Sequence, residues 1–311
     1  MNRRSWTLFA AMCVIWGIPY LLIRVAVRDI EPITLVFMRT GIGGVLLLPL
    51  AFHAGGFRQV AARWKPLLAF TIIEMVVPWT MLGTAEEHLS SSLSGLLLAS
   101  VPLIALIAVR LAGSHEPIGP RRWTGLMLGL AGVGMLVGLD LSGLDYVALL
   151  EILVVAIGYA TAPIIMARSL SDIPSIPVVS ASLLLAAVIT SPFALTRWPS
   201  HVAGRGVASV ITLGVVCTAL AFVLFFALIA EIGPARSTVI TYVNPAVAVA
   251  LGLLLLGEEF TAGMGIGFPL ILVGSVLAAS AGRPAVPAVE LPGAAAVAGA
   301  ESAAASAELN R

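Results

Sequence analysis

The sequence predicts an all-α membrane protein with ten transmembrane helices, arranged as two inverted five-helix repeats. Three observations carry this prediction: the composition, the spacing of the apolar runs, and a motif that recurs half a chain later. Of the 311 residues, 59% are hydrophobic and 11% are charged, whereas an ordinary soluble domain is about 25% charged. Apolar runs of about 18 or more residues recur along the chain, which is typical of a multi-span helical membrane protein.

The apolar runs place ten helices in order along the chain. Their predicted ranges are 6–26, 32–52, 66–83, 89–111, 121–139, 145–167, 176–196, 206–230, 235–256 and 261–281. Most of these lengths match the ~20 residues that cross ~30 Å of hydrocarbon. The first run, from Trp6 to Ile23, is longer than the apolar region of a secretion signal, so we expect a retained helix.

The charges between the runs predict the orientation. Most Lys and Arg residues fall in segments that would be cytoplasmic if the amino terminus is inside, as the positive-inside rule requires. The opposite loops collect acidic residues: Glu86, Glu87, Asp140, Asp145, Glu258 and Glu259. We therefore expect both termini in the cytoplasm, with a disordered cytoplasmic tail over 283–311 that is rich in Ala, Pro, Gly and Ser.

Two stretches about 142 residues apart resemble each other. The matched pairs are Pro102 with Pro245, Glu116 with Glu258, Gly125 with Gly267, and Gly132 with Gly274. Chance similarity between apolar segments is the alternative. A true repeat divides the chain into five-helix units at 1–140 and 141–282, and an odd number of spans inserts the second unit upside down. Transporters built this way hold their substrate near mid-membrane, between the units.

Three charged residues lie inside the predicted spans and away from the span ends: Arg39, Glu74 and Glu151. Each is a functional candidate, because a charge at mid-helix costs about 2.5 to 3.5 kcal/mol on insertion scales. We expect Arg39 to face a carboxylate, Glu74 first and Glu151 otherwise, and such a pair could also serve helix packing alone. Glu74, one turn before Pro78 and Trp79, could instead carry a proton for coupling or contact an ammonium group of the substrate.

Polar and aromatic residues near helix-breaking prolines predict one central substrate chamber. The candidates are Trp16, Tyr20, Glu74, Trp79, Ser94, Tyr159, Thr161, Tyr242 and Asn244. For each of them, hydrogen bonding between helices is an equally good interpretation. Small residues at Gly125, Gly129 and Gly132 predict close helix packing and a possible homodimer face.

Several function classes find no support in the sequence. The net charge of +1 implies no nucleic-acid partner. Cys13 and Cys217 lie inside apolar spans and the histidines lie near span ends, so no metal or cofactor is expected. No HExxH, GxSxG or paired-aspartate motif indicates an enzyme. An intramembrane lipid-modifying enzyme remains the alternative class, and a channel is the third.

Five features, in order, resemble the EamA-type permeases of the drug/metabolite transporter superfamily. They are the ten-helix pattern, the early "WG" at Trp16 and Gly17, "EPITLVFMR", "SSSLSGLLLASVPLIALI" and "VNPAVAVALGLLLLGEEFT". The resemblance covers about residues 5 to 282. It implies an inner-membrane carrier that works by alternating access, usually an exporter of amino acids or other small metabolites. A small-cation multidrug exporter of the same family is the alternative substrate class, and Glu74 and Glu151 depart from the commonest, purely apolar pattern.

Overall fold

Every regular element is a helix in the residues that the computed structural model describes, which are 2–112, 119–138, 145–233, 237 and 239–279. The long helices are α1 (Arg3–Ala26), α2 (Pro32–Ala54), α3 (Trp64–His88), α4 (Ser91–Leu111), α5 (Pro120–Gly138), α6 (Tyr146–Ser169), α7 (Ser175–Thr196), α8 (Gly204–Ile232), α9 (Ile240–Leu255) and α10 (Ala262–Ala279). A short helix, Phe57–Ala62, connects α2 and α3.

Seven helices within the described ranges are long and apolar enough to cross a membrane by length and composition, namely α1 to α4 and α6 to α8. Two shorter apolar helices, α9 and α10, follow them. Large apolar side chains face outward along the bundle, such as Leu254 at 80% exposure, which suits a lipid environment. The ten-span count stays a prediction, and the predicted tail from 283, Glu116 and Asp140 lie outside the described residues.

Prolines break α1 and α4, as the sequence predicts for α1. The two halves of α1 are Arg3–Ile15 and Ile18–Ala26. Pro19 has no N–H to donate to the carbonyl four residues earlier, so the helix is interrupted there. The α4 helix is divided in the same way, at Ala99 and Ser100, just before Pro102.

The predicted end of the third helix is wrong by five residues. The sequence placed this end at 83 and put Glu86 and Glu87 in a loop, but α3 continues to His88. Nothing between 84 and 88 stops a helix, and the chain turns only at Ser90, whose hydroxyl accepts from the Leu93 N–H at 3.1 Å and caps α4. As a result Glu86 lies in the helix and is fully buried, with 0% exposure.

Polar contacts tie the helix termini together at both ends of the bundle. At one end, which we call the Glu258 end, the linked pairs are Glu258 with Ser91 and Ser92, Arg24 with the Glu86 carbonyl, His88 with Asp145, and Arg197 with Glu31. At the other, the Glu231 end, they are Arg4 and Ser5 with Glu231, Arg63 with Asp172, and Arg168 with the Ala112 carbonyl. Successive helices therefore run from one end to the other.

Glycines bring α5 and α10 into backbone contact. A Cβ on Gly125 would lie 2.7 Å from the Gly274 carbonyl oxygen, and one on Gly132 would lie 2.7 Å from that of Gly267. In the sequence repeat, Gly125 corresponds to Gly267 and Gly132 corresponds to Gly274. Gly125 therefore contacts the counterpart of Gly132, and Gly132 contacts the counterpart of Gly125. Such reciprocal pairs are the pattern of a two-fold-related interface. The predicted close packing at Gly125, Gly129 and Gly132 is confirmed, and the covering residues belong to α4 and α10 of the same chain. The homodimer stays a prediction.

Two helices contain a π-helical segment at corresponding places. The segment in α3 is Ile72–Val76 and the one in α8 is Val215–Leu220. Their separation is close to the 142-residue repeat, and neither was predicted. Because a π turn holds an extra residue, the side chains that follow it face a different direction from those of an uninterrupted α-helix. Such segments often lie at functional sites.

Candidate functional site

Arg39 lies between the two helices that contain π segments. Its side chain projects from α2 and is only 8% exposed. The Cζ atom lies 3.8 Å from the Trp79 ring centroid, a cation–π contact worth about 2 kcal/mol when desolvated. On the other side, Nε donates to the Thr218 hydroxyl at 2.9 Å, and that hydroxyl donates to the Leu213 carbonyl at 2.8 Å. The guanidinium thus connects α3, just after its π segment, to the π segment of α8.

The predicted ion pair of Arg39 with Glu74 or Glu151 is not formed. In the described part of the chain no ion pair includes Arg39, and the bond to Thr218 is its one hydrogen bond. Glu74 makes no hydrogen bond to a described residue, and its Oε2 is buried. Glu151 is half-buried, with Glu87 within electrostatic range. The π segment explains why the predicted ion pair is absent. Its extra residue changes the direction of the α3 side chains that follow it, so that the Trp79 ring contacts the face of the Arg39 guanidinium.

Two tyrosines from repeat-related helices complete a group that we call the central cluster: Tyr20, Arg39, Glu74, Trp79 and Tyr159. Tyr159 of α6 lies within electrostatic range of Arg39 and Glu74 and beside Trp79. Tyr20 of α1 lies within range of Arg39 and Tyr159. Its ring also packs on Gly95 of α4, 3.6 Å from a Cβ built there. All five residues were predicted from the sequence, and the structure brings them together.

The backbone of α3 explains how α6 approaches so closely. In the π segment Val77 donates to the Ile72 carbonyl, five residues earlier. The next residue, Pro78, has no N–H, so it leaves the Ile73 carbonyl without that bond. In an uninterrupted α-helix, Pro78 would instead leave the Glu74 carbonyl, four residues earlier, without its donor. Gly158 of α6 lies against the Ile73 carbonyl, since a Cβ at 158 would lie 2.5 Å from the Ile73 oxygen. Tyr159 is the next residue in α6, so the close approach brings it to α3.

Two other residues of the predicted chamber, Trp16 and Thr161, make their contacts with α8 and with their own helix, respectively. Trp16 packs on Phe222 and Phe225 of α8, with ring centroids 6.2 and 4.6 Å apart. The Thr161 hydroxyl donates to the Ile157 carbonyl of its own helix at 2.8 Å. These contacts fit a packing role.

The remaining candidates lie on α4 and α9. Tyr242 donates to the Ser275 carbonyl at 3.3 Å and so links α9 to α10. The side-chain amide of Asn244 is oriented with its nitrogen toward two backbone carbonyls. This nitrogen donates to the Ile240 and Cys13 carbonyls at 2.9 and 3.0 Å. Ser94 is different, because its buried hydroxyl has no partner among the described residues. For Tyr242 and Asn244, the interpretation as interhelical hydrogen bonds fits the geometry.

Sequence reasoning missed the contacts of three residues, which are Glu86, Glu258 and Thr218. Glu86 is buried with both carboxyl oxygens unbonded within the described chain, and its charged neighbours are Arg24 and Glu258. Glu258 accepts from the Ser91 and Ser92 amides at 2.8 and 3.0 Å. Thr218 carries no sequence signal, but the uninterrupted helical pattern up to Leu89 could have placed Glu86 in a helix. No group of three or more His, Cys, Asp or Glu suited to a metal occurs in the described residues.

Comparisons with known proteins agree on one family. The model of the EamA-like transporter family matches residues 4–138 and again 147–280. The chain is 32% identical over 267 residues to the uncharacterized inner membrane transporter YedA of Escherichia coli strain K12, covering 81% of this chain and 82% of that protein. It is 22% identical over 279 residues to the uncharacterized transporter YvbV of Bacillus subtilis strain 168, covering 87% and 90%.

A crystal structure with 19% sequence identity shares the fold, with a TM-score of 0.64 over 89% of this chain and 97% of that one. The apolar helices and the inner-membrane relatives indicate a multi-pass protein of the inner membrane. The two family matches and these relatives show that the chain belongs to the EamA-like transporter family, within the drug/metabolite transporter superfamily.

Proposed function

We propose that the chain is a secondary transporter that exports a small metabolite, an amino acid or a related compound, by alternating access. The central cluster is the observation that carries this proposal. Its residues come from α1, α2, α3 and α6, and they combine a cation, a carboxyl group and three aromatic rings inside an apolar bundle. Convergent polar groups within an apolar pocket are typical of a small-molecule site.

The proposed architecture is ten membrane-crossing helices in two inverted repeats, 1–140 and 141–282. The family model matches twice, once in each half. The reciprocal glycine pairs of α5 and α10 and the corresponding π segments of α3 and α8 also support it. In such transporters the two repeats rock against each other around a site near mid-membrane.

Both termini are proposed to be cytoplasmic, so that the Glu231 end faces the cytoplasm and the Glu258 end faces outward. The positive-inside rule supports this orientation, because Arg4, Arg63 and Arg168 make their contacts at the Glu231 end. Export, rather than import, is proposed from the family resemblance.

Glu74 is proposed to couple transport to protons. Its carboxyl has no partner in the described residues and one oxygen is buried. A buried carboxyl without a partner is costly when charged, so a conformational change that exposes or encloses Glu74 changes its preference for a proton. Proton binding and substrate movement would then share one conformational cycle.

The test is an export screen in whole cells that express the full chain, using a pool of amino acids and their toxic analogues. We expect expression to raise resistance to at least one analogue and to raise the export of the parent compound. Trp79→Ala should abolish the effect because it removes an aromatic wall of the cluster, whereas Thr161→Val, which loses only a bond within its own helix, should keep it. A correctly inserted protein that exports none of the pool would contradict the proposal.

A further inference from the structure

We propose that Arg39 is the anion receptor of the central cluster: the free edge of its guanidinium binds a carboxylate of the transported compound. The substrate is then an organic acid or an amino acid, and cations without a carboxylate are excluded. This inference rests on the proposed transport function and narrows its substrate class.

The guanidinium is held in place with one edge unused. Trp79 contacts its face at 3.8 Å and Thr218 accepts from Nε. The two terminal nitrogens make no hydrogen bond to any residue that the structure describes. A guanidinium edge of this kind matches a carboxylate in two parallel hydrogen bonds, which are among the stronger polar contacts in proteins.

The charge of Arg39 is not balanced inside the described structure. The groups around it are a threonine, an indole, the thiol of Cys217 and the phenols of Tyr20 and Tyr159. A buried charge without an opposite charge is strongly unfavourable, and a cation–π contact offsets only part of that cost. An anionic ligand therefore supplies the negative charge that Arg39 lacks in the described structure. The phenols of Tyr20 and Tyr159 can donate hydrogen bonds to the same ligand.

The same contacts disfavour a cationic ligand. The face of Trp79 that would attract a positive group already holds Arg39. A second cation beside Arg39 would also meet repulsion between like charges in a medium of low dielectric constant. An ammonium group is acceptable only together with a carboxylate, as in an amino acid, where Glu74 offers an unpartnered carboxyl.

The test measures thermal unfolding of the purified full-length protein in lipid nanodiscs. The probes are 3-phenylpropionate and L-phenylalanine, each compared with its amide, and phenethylamine. Because a ligand that binds only the folded state stabilises it, we expect the carboxylates to raise the unfolding midpoint by a few degrees near saturation. The amides and the amine should leave it unchanged.

Variants connect the effect to the guanidinium. Arg39→Lys keeps the charge but loses the two-bond geometry, so the apparent affinity for the carboxylates should fall at least about tenfold. Arg39→Gln should abolish the shift, and if it does not fold, Arg39→Lys decides. Thr161→Val is the matched control and should retain the shift for both carboxylates, because the Thr161 hydroxyl bonds only within its own helix.

The possible failures are distinguishable. Carboxylates that give no shift, amides that match them, or an Arg39→Lys protein that binds like the wild type would each overturn the inference. Export of amines alone would also overturn it and would leave the proposed transport function standing. Arg39-dependent binding without any export would contradict the transport function instead.

Discussion

Gly158 of α6 lies directly against the carbonyl group of Ile73 in α3, so that a Cβ at 158 would lie 2.5 Å from the oxygen. The contact exists because the π segment and Pro78 together leave this carbonyl without its helical donor. It fixes the separation of the two helices that carry Glu74 and Tyr159.

Gly158→Ala is expected to abolish transport and to lower the free energy of unfolding by about 1–3 kcal/mol, as overpacking does. Neither the Ile73 backbone nor the Pro78 ring, 2.7 Å from the added carbon, can move easily. Transport assays and thermal unfolding measure the two effects. Gly134→Ala in α5 is the control, because nothing lies within 4 Å of its added carbon. Equal behaviour of the two variants would contradict the close contact.

Glu258→Gln is expected to lower the free energy of unfolding by about 1–2 kcal/mol, because the carboxylate accepts from two amides at the beginning of α4. The exposed neighbour Glu259 supplies the control, since Glu259→Gln should change stability by less than about 0.5 kcal/mol. Thermal unfolding of both variants in the same detergent makes the comparison. A Glu258→Gln protein as stable as Glu259→Gln would show that the cap is unimportant.

Glu86→Gln is expected to be at least as stable as the wild type. Both carboxyl oxygens of Glu86 are buried without a hydrogen bond in the described residues, and Glu258 adds a like charge nearby. Glutamine keeps the shape and removes the charge, which is costly to bury. Thermal unfolding measures the difference. Destabilisation by more than about 1 kcal/mol would instead indicate an ion pair between Glu86 and Arg24.

Glu74→Gln is expected to abolish gradient-driven export and to leave exchange of substrate between the two sides intact. The amide cannot carry a proton, whereas the size of the side chain is nearly unchanged. The measurement is transport in vesicles with and without an imposed pH gradient, and Glu151→Gln is the control because Glu151 lies beside Glu87 and not in the central cluster. An unchanged pH dependence in Glu74→Gln would exclude proton coupling through this residue.

The central cluster could be predicted from the sequence because its members are unusual where they stand. A charge such as Arg39 or Glu74 inside an apolar run must face the interior, and Tyr20 and Tyr159 adjoin prolines or glycines that open a helix. The contacts between these residues could not be predicted, since a regular helix has 3.6 residues per turn and the π segment Ile72–Val76 departs from that spacing without a sequence signal. One extra residue in that turn changed which side chain of α3 faces Arg39.

Glu86 was missed for a different reason. Its carboxyl suggested a loop, and the length of a membrane span suggested that the helix ends at 83. Because nothing between 84 and 88 ends a helix, the helix itself could have been extended to His88, but no local pattern in the sequence reports that neighbouring segments bury Glu86. Thr218 carries even less signal, because a threonine in an apolar helix usually bonds to its own backbone.

The glycine contacts of α5 with α10 also limit how the molecule moves. At these glycines no side chain separates the two backbones, so no change of side-chain rotamer can make room there. Sliding one backbone along the other would bring their atoms into closer contact. In the proposed transport cycle we therefore expect this crossing to stay fixed, so that the opening and closing of the central cluster comes from the other helices.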